Sequence, residues 1–212
     1  MSPLYAIVDT ALCATRGLEP EAVAHAVLRG GATTLQLRAK AMGGAELLAL
    51  ARRLAPAATA AAATLIINDR VDVARTAGLG VHLGQDDLPI AEARRLLGPD
   101  AVIGRSTHTP AQLDAALADA VSYVAFGPVF TTATKQPPDP VVGLDGVRAA
   151  ARRVAGSGRP LVAIGGITLE TAPAVLAAGA DAVAVISDLL RGDDGPEPRV
   201  RRFLSALSTK LV

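Results

Sequence analysis

Read for apolar periodicity, the chain alternates short apolar runs with longer amphipathic or alanine-rich stretches. The runs are Leu4 to Val8, Thr34 to Arg38, Thr64 to Asn68, Gly80 to Leu83, Ala101 to Gly104, Tyr123 to Phe126, Leu161 to Ile164 and Ala182 to Ile186. Each is too short for a helix and reads as a strand covered on both faces. Between and after them, helices are predicted at Pro20 to Leu28, Ala45 to Ala62, Val71 to Ala77, Ile90 to Leu97, Pro110 to Ala118, Leu144 to Ala155, Leu169 to Ala178 and Glu197 to Leu207. Thr109-Pro110 and Thr168 mark helix starts. Gly31-Ala32, Gly78-Leu79-Gly80 and Gly179-Ala180-Asp181 mark helix ends that turn the chain into the next strand. Eight strand–helix units predict an α/β fold of the (β/α)8 type, a TIM barrel, as one domain over residues 1–212. The architectural alternative, an open flavodoxin-like sheet, needs fewer strands.

Composition agrees and removes other classes. Half of the 212 residues are apolar, enough for a full core. A formal charge of +1 and 2% aromatics argue against nucleic acid, which needs a basic footprint and stacking surfaces. The lone Cys13 cannot form an internal disulfide, and the first residues lack a signal-peptide pattern, so the expected location is cytoplasmic. Ala172 to Leu190, the most apolar long stretch, is interrupted by Asp181 and Asp188 and is not a membrane span. The partners expected are small molecules, with a homo-oligomer left open.

In such a barrel the carboxyl ends of the strands form one rim, where chemistry collects. By the two-residue period Gln36, Arg38 and Lys40 project inward together. Two inward cations call for an anionic ligand or for paired acids. Lysine is scarce, at Lys40, Lys135 and Lys210 only, against eighteen arginines. Leu65-Ile66-Ile67 runs into Asn68-Asp69, and Val81-His82-Leu83 into Gly84-Gln85-Asp86-Asp87, so neighbouring strands deliver acids to the same rim. Asp69 and Asp87 are candidate Mg2+ ligands; the alternative is that each caps the helix after it.

The connection from Gly127 to Lys135, extended by a proline-rich run to Val142, is long for a barrel and suits a lid. Thr132, Thr134 and Lys135 there suit phosphate or carboxylate oxygens, unless the stretch is a plain surface loop. Gly165-Gly166 after the seventh strand and Ile186-Ser187 after the eighth fit the barrel phosphate cradle, with a tight turn as the alternative. After the fifth strand Ser106 can bond a substrate, Thr107 or Thr109 can cap a helix, and His108 can move a proton or serve as an ordinary bonding residue. His82 and His25 receive no catalytic assignment. The sequence holds no nucleophile elbow, zinc-type Cys/His set or Walker loop.

Taken in order, Tyr5 to Asp9, Gln36 to Lys40, Ile67 to Arg70, Val81 to Asp87, Ser106 to His108, Phe126 to Lys135, Ala163 to Thr168 and Val185 to Ser187 resemble the thiamine phosphate synthase family over nearly the whole chain. The resemblance implies a TIM barrel that joins 4-amino-5-hydroxymethyl-2-methylpyrimidine diphosphate to a plain or carboxylated thiazole phosphate, releasing pyrophosphate, with Mg2+ as cofactor. It implies a pyrimidine-diphosphate site at Gln36, Leu37, Arg38, Ala39, Lys40 and Asn68, completed by Ser106 and Lys135. Catalysis falls to Arg38, Lys40, Ser106 and Lys135, and metal binding to Asp69 and Asp87. Thr132, Ala133 and Thr134 would meet the thiazole phosphate substrate, and Gly166, Ile186 and Ser187 its phosphate. Two departures stand out: the Gly78–Gly80 link is one residue short for the family, which leaves Asp86 in contention with Asp87, and Ala41 stands where an acid is common. The alternatives are a thiazole tautomerase on the same barrel, which tends to lack the second acid and the Thr-x-Thr-Lys run, and a non-catalytic phosphate sensor.

Overall fold

The computed structural model describes residues 1–132, 140–192 and 194–208. Its strands are β1 (Leu4–Asp9), β2 (Thr34–Arg38), β3 (Thr64–Asn68), β4 (Gly80–Leu83), β5 (Ile103–Thr107), β6 (Tyr123–Phe126), β7 (Leu161–Ile164) and β8 (Ala182–Val185). All pair in parallel in sequence order, and β8 returns to β1 through Leu4 beside Val183, closing the barrel. The helices are α1 (Thr10–Thr15), α2 (Pro20–Arg29), α3 (Gly44–Ala60), α4 (Val71–Ala77), α5 (Ile90–Leu97), α6 (Pro110–Ala118), α7 (Gly143–Val154), α8 (Ala172–Ala177) and α9 (Pro196–Ser208), with a 3-10 turn at Ser187–Leu190. The TIM barrel is therefore the fold, and the open sheet is excluded. Among the described residues no helix is long and apolar enough to cross a membrane.

Strand alternation sorts the side chains into two layers. Outward residues such as Leu35, Leu37, Leu65, Ile67, Val81 and Leu83 pack beneath the helices in one continuous core. Inward residues Tyr5, Ile7, Ile66, Tyr123, Ala125, Val162, Ala182 and Ala184 fill the barrel itself. Gly104 makes room for the largest of them: a Cβ at that position would stand 2.1 Å from Cζ of Tyr123. The helix-end glycines behave as their sequence context predicts, with Gly31, Gly78 and Gly179 at φ +99°, +67° and +107°.

Three elements differ from the sequence expectation. β5 begins at Ile103 and runs on through Arg105, Ser106 and Thr107, because pairing of Gly104 with Tyr123 through Thr107 with Phe126 satisfies a backbone whose side chains look like a loop. Helix α1 was not predicted; Asp9 caps it by accepting from the Leu12 amide at 2.8 Å. Helix α8 starts at Ala172 rather than Leu169, because Thr168 closes a turn, its amide donating to Thr171 Oγ1 at 2.9 Å, instead of capping.

Candidate active site

The carboxyl ends of the strands enclose a cavity of about 270 Å3. Gln36, Arg38, Lys40, Asn68, Asp69, Asp87, Ser106, Thr132, Gly166, Ile186 and Ser187 all line it, so the inward positions singled out in the sequence converge. Leu37 and Ala39 do not; they face outward into the core under the helices. Ala133, Thr134 and Lys135 lie outside the described residues.

On one side stand the cations, and each has an acid partner. Arg38 pairs with Asp9, a buried carboxylate that also caps α1, so one acid fixes both the guanidinium and the exit of β1. Lys40 Nζ lies 3.3 Å from Asp69 Oδ2 and is well exposed, free to swing toward a ligand. The opposing acids do not cap helices. The N-cap of α4 is Arg70 and that of α5 is Pro89, neither with a side-chain capping bond, which overturns the capping alternative. Asp69, the residue after β3, instead takes the left-handed region at φ +63°, uncommon outside glycine though better tolerated by Asp than by most side chains. Asp87 Oδ2 accepts the Gly84 amide at 2.7 Å, which turns its carboxyl back to meet that of Asp69. Burial, then the adjoining Asp87 carboxyl, holds Asp69 above the usual carboxylate range, while Lys40 pulls it down. Asp86 is exposed and Asp87 half-buried; both line the cavity, and it is the Asp87 carboxyl that acts on Asp69.

Two carboxylates forced together gain by sharing a cation. Among the described residues no group of three or more His, Cys, Asp or Glu could hold a metal. A two-carboxylate oxygen set is nonetheless what Mg2+ takes when waters and substrate phosphates supply its remaining ligands. The donor set fits that ion and is wrong for zinc.

Across the rim, Gly165 and Gly166 turn at φ +104° and +65°, and a Cβ on Gly166 would stand 2.5 Å from the Thr131 carbonyl oxygen. Only glycine lets this turn lie flat against the 128–131 segment, whose Phe130 amide donates to the Gly165 carbonyl at 2.9 Å. Ser187 opens the 3-10 turn beside it. Beneath, the buried Asp188 accepts from the Leu169 amide at 2.9 Å and from Arg199 at 2.5 Å, tying the turns after β7 and β8 to α9. His108 Nδ1 donates to the Gly127 carbonyl at 2.6 Å, and Thr109 caps α6 by accepting from the Gln112 amide.

Sequence reasoning missed the floor of the cavity. Gln36 Nε2 donates to the Tyr5 hydroxyl at 2.7 Å, Tyr5 and Tyr123 hydroxyls lie 2.8 Å apart, and His82 bonds Tyr123 through Nδ1 and Ser106 Oγ through Nε2, both at 2.8 Å. Burial pushes the His82 imidazole down to about 4, leaving it neutral near pH 7, and pushes both phenols up. The signal was available: Tyr5, His82 and Tyr123 sit at inward positions of their strands, and so does Asp9.

Fold and rim together define a (β/α)8-barrel enzyme with its chemistry at the carboxyl ends of the strands. A family model described as thiamine monophosphate synthase matches residues 4–189. A thiamine-phosphate synthase of Koribacter versatilis is 47% identical over 210 residues, covering 96% of this chain and 95% of that protein. One from Anaeromyxobacter dehalogenans is 44% identical over 204 residues, 96% of this chain and 86% of its own. A solved structure, the thiamine phosphate pyrophosphorylase from Pyrococcus furiosus, superposes with a TM-score of 0.86 at 30% identity, covering 99% of this chain and 96% of that one. The chain belongs to the thiamine monophosphate synthase family, and it is a transferase.

Proposed function

We propose that the protein is a Mg2+-dependent thiamine phosphate synthase, transferring the 4-amino-2-methylpyrimidine-5-methyl group from its diphosphate to the nitrogen of a plain or carboxylated thiazole ethyl phosphate. The observation that carries this reading is the meeting of Asp69 and Asp87 beside Lys40, in one cavity with Ser106 and the Gly166–Ser187 turn pair. One end suits a metal-bound diphosphate and the other a separate phosphate, as two phosphorylated substrates require.

In the reaction the methylene–oxygen bond breaks, its electron pair leaves with the diphosphate, and the thiazole nitrogen lone pair forms the new carbon–nitrogen bond; with the carboxylated thiazole, CO2 also leaves, its bonding pair staying on the ring carbon, which takes a proton from solvent. Arg38, Lys40 and Lys135 supply positive charge to the diphosphate oxygens as their charge grows. Ser106 donates a hydrogen bond, and Gln36 and Asn68 orient the pyrimidine. Asp69 and Asp87 would hold Mg2+, which neutralises leaving-group charge when bound. Thr132, Ala133 and Thr134 meet the thiazole phosphate, with its phosphate against Gly166, Ile186 and Ser187. No protein nucleophile is required, because the electron-rich aminopyrimidine bears the positive charge left on its methylene.

The test is incubation of purified protein with the pyrimidine diphosphate, each thiazole phosphate in turn, and Mg2+. Thiamine phosphate and pyrophosphate in equal amounts support the proposal. Isomerised thiazole phosphate alone would identify a tautomerase, and no conversion a binding protein.

A further inference from the structure

We infer that His82 is a positioning residue: a one-way chain of hydrogen bonds from Gln36 through Tyr5 and Tyr123 fixes the proton of its ring on Nε2, and Nε2–H in turn fixes Ser106 with its hydroxyl proton directed into the cavity. The inference rests on the reading of Ser106 as a donor to the diphosphate-bearing substrate.

The direction follows from counting protons. The Gln36 amide nitrogen has no lone pair to offer, so the Tyr5 hydroxyl accepts from it at 2.7 Å. Tyr5 is 1% exposed, and the remaining partner of its hydroxyl is Tyr123, at 2.8 Å, so the Tyr5 proton goes there. Tyr123, also 1% exposed, must then send its own proton to His82 Nδ1, again at 2.8 Å. A neutral imidazole that accepts at Nδ1 carries its proton on Nε2. That proton meets Ser106 Oγ at 2.8 Å, which leaves the serine as acceptor toward the floor and donor toward the cavity. A serine held this way complements an anion bound in the cavity that it shares with Lys40. A freely rotating hydroxyl would spend part of its time presenting lone pairs instead.

The geometry also fixes the ring. His82 stacks on Tyr123 with ring centroids 5.6 Å apart and planes 21° apart, and Tyr5 meets Tyr123 edge-on at 5.7 Å. Gly104 admits the Tyr123 ring to this place, as its missing Cβ shows. His82 lies near Asp87 and Arg105, and its carbonyl accepts the Asp69 amide at 2.9 Å, but no member of the chain is itself ionised, so the chain acts on orientation and not on net charge.

Labelling the protein with 15N-histidine gives three ring systems, His25, His82 and His108, and His82→Gln identifies the second by its loss. The expected spectrum near pH 7 has the His82 proton on Nε2 and a bare Nδ1; a proton on Nδ1 would reverse the chain, turn the serine proton inward, and overturn the inference. Kinetics give the second arm. His82→Gln retains an N–H for Ser106 and should keep kcat within about tenfold of wild type, whereas His82→Met should lower it about a hundredfold with KM for the pyrimidine diphosphate within about threefold. Equal losses in the two variants, or a loss confined to KM, would show a packing role only. A wild-type protein that makes no thiamine phosphate would count against the proposed function, and the tautomer would then decide the chain by itself.

Discussion

At the scale of single residues, charge and its neighbours decide what the rim can do. If Lys135 has the role proposed for it, Lys135→Ala should lower kcat by about a hundredfold or more, as loss of a cation that stabilises a leaving group does, with little change in thermal midpoint; wild-type release of pyrophosphate would rule the lysine out. Asp87→Asn keeps an oxygen for the Gly84 amide but removes the repulsion with Asp69. Without Mg2+ it should be at least as stable as wild type, while needing about tenfold more Mg2+ for half-maximal activity; an unchanged Mg2+ requirement would remove Asp87 from the ligand set. His82 gives a signature in stability. Its folded value of about 4 lies below the ordinary 6.5, so between those values the unfolded chain binds more protons. The stabilisation is fully present above about pH 6.5 and is lost as pH falls toward 4, about 3 kcal/mol in all. Asp69, shifted upward, works in the opposite direction. Urea unfolding of wild type and His82→Gln from pH 7 to 4.5 isolates the histidine; parallel curves would deny it.

At the scale of elements, what was legible depended on whether a strand or helix announces itself by its own residues. Seven of the eight strands stand close to where apolar runs place them, because a strand covered on both faces must be apolar at nearly every position. β5 slipped because Arg105, Ser106 and Thr107 are polar, Ser106 facing the cavity while Arg105 and Thr107 bond the Gln85 and Ala125 carbonyls, and their strand conformation is set by the ladders to β4 and β6. Helix α1 was missed for a related reason: six residues hold no full amphipathic pattern, and its cap, Asp9, is recruited by Arg38 from the next strand. Motif residues at strand ends were readable, whereas the floor was not, since Tyr5, His82 and Tyr123 look like ordinary core members until their hydroxyls and ring meet. Gly104 shows how closely β5 and β6 are fitted. In Gly104→Ala the new methyl would occupy the space of the Tyr123 ring, and a destabilisation of about 2–4 kcal/mol follows from forced overpacking. Denaturant titration reads this directly, and a loss under about 0.5 kcal/mol would mean that the ring moves aside freely.

At the scale of the molecule, the end of the chain braces the rim. Arg199, on α9, is 8% exposed and pairs with the 4%-exposed Asp188, whose other oxygen contact holds the turn after β7. Arg199→Met removes the closer of its two cations, leaving the exposed Arg191 at 3.8 Å, and costs about 3 kcal/mol. The loss should appear as a lower thermal midpoint together with weaker binding of the thiazole phosphate; a lower midpoint with unaltered binding would separate the brace from the cradle.

The filled interior has a further consequence. Tyr5, Ile66, Tyr123, Val162 and Ala182 fill the barrel beneath the cavity, so among the described residues the way in is from the rim at the carboxyl ends of the strands. Under the proposed reaction two reactants would come in, and two products go out, by that rim. A molecule resting against the tyrosine floor would then have to arrive first, and whatever lies there after the reaction depart last. Traffic would be that of a cul-de-sac: a queue in which a product lodged deep makes the next reactant wait.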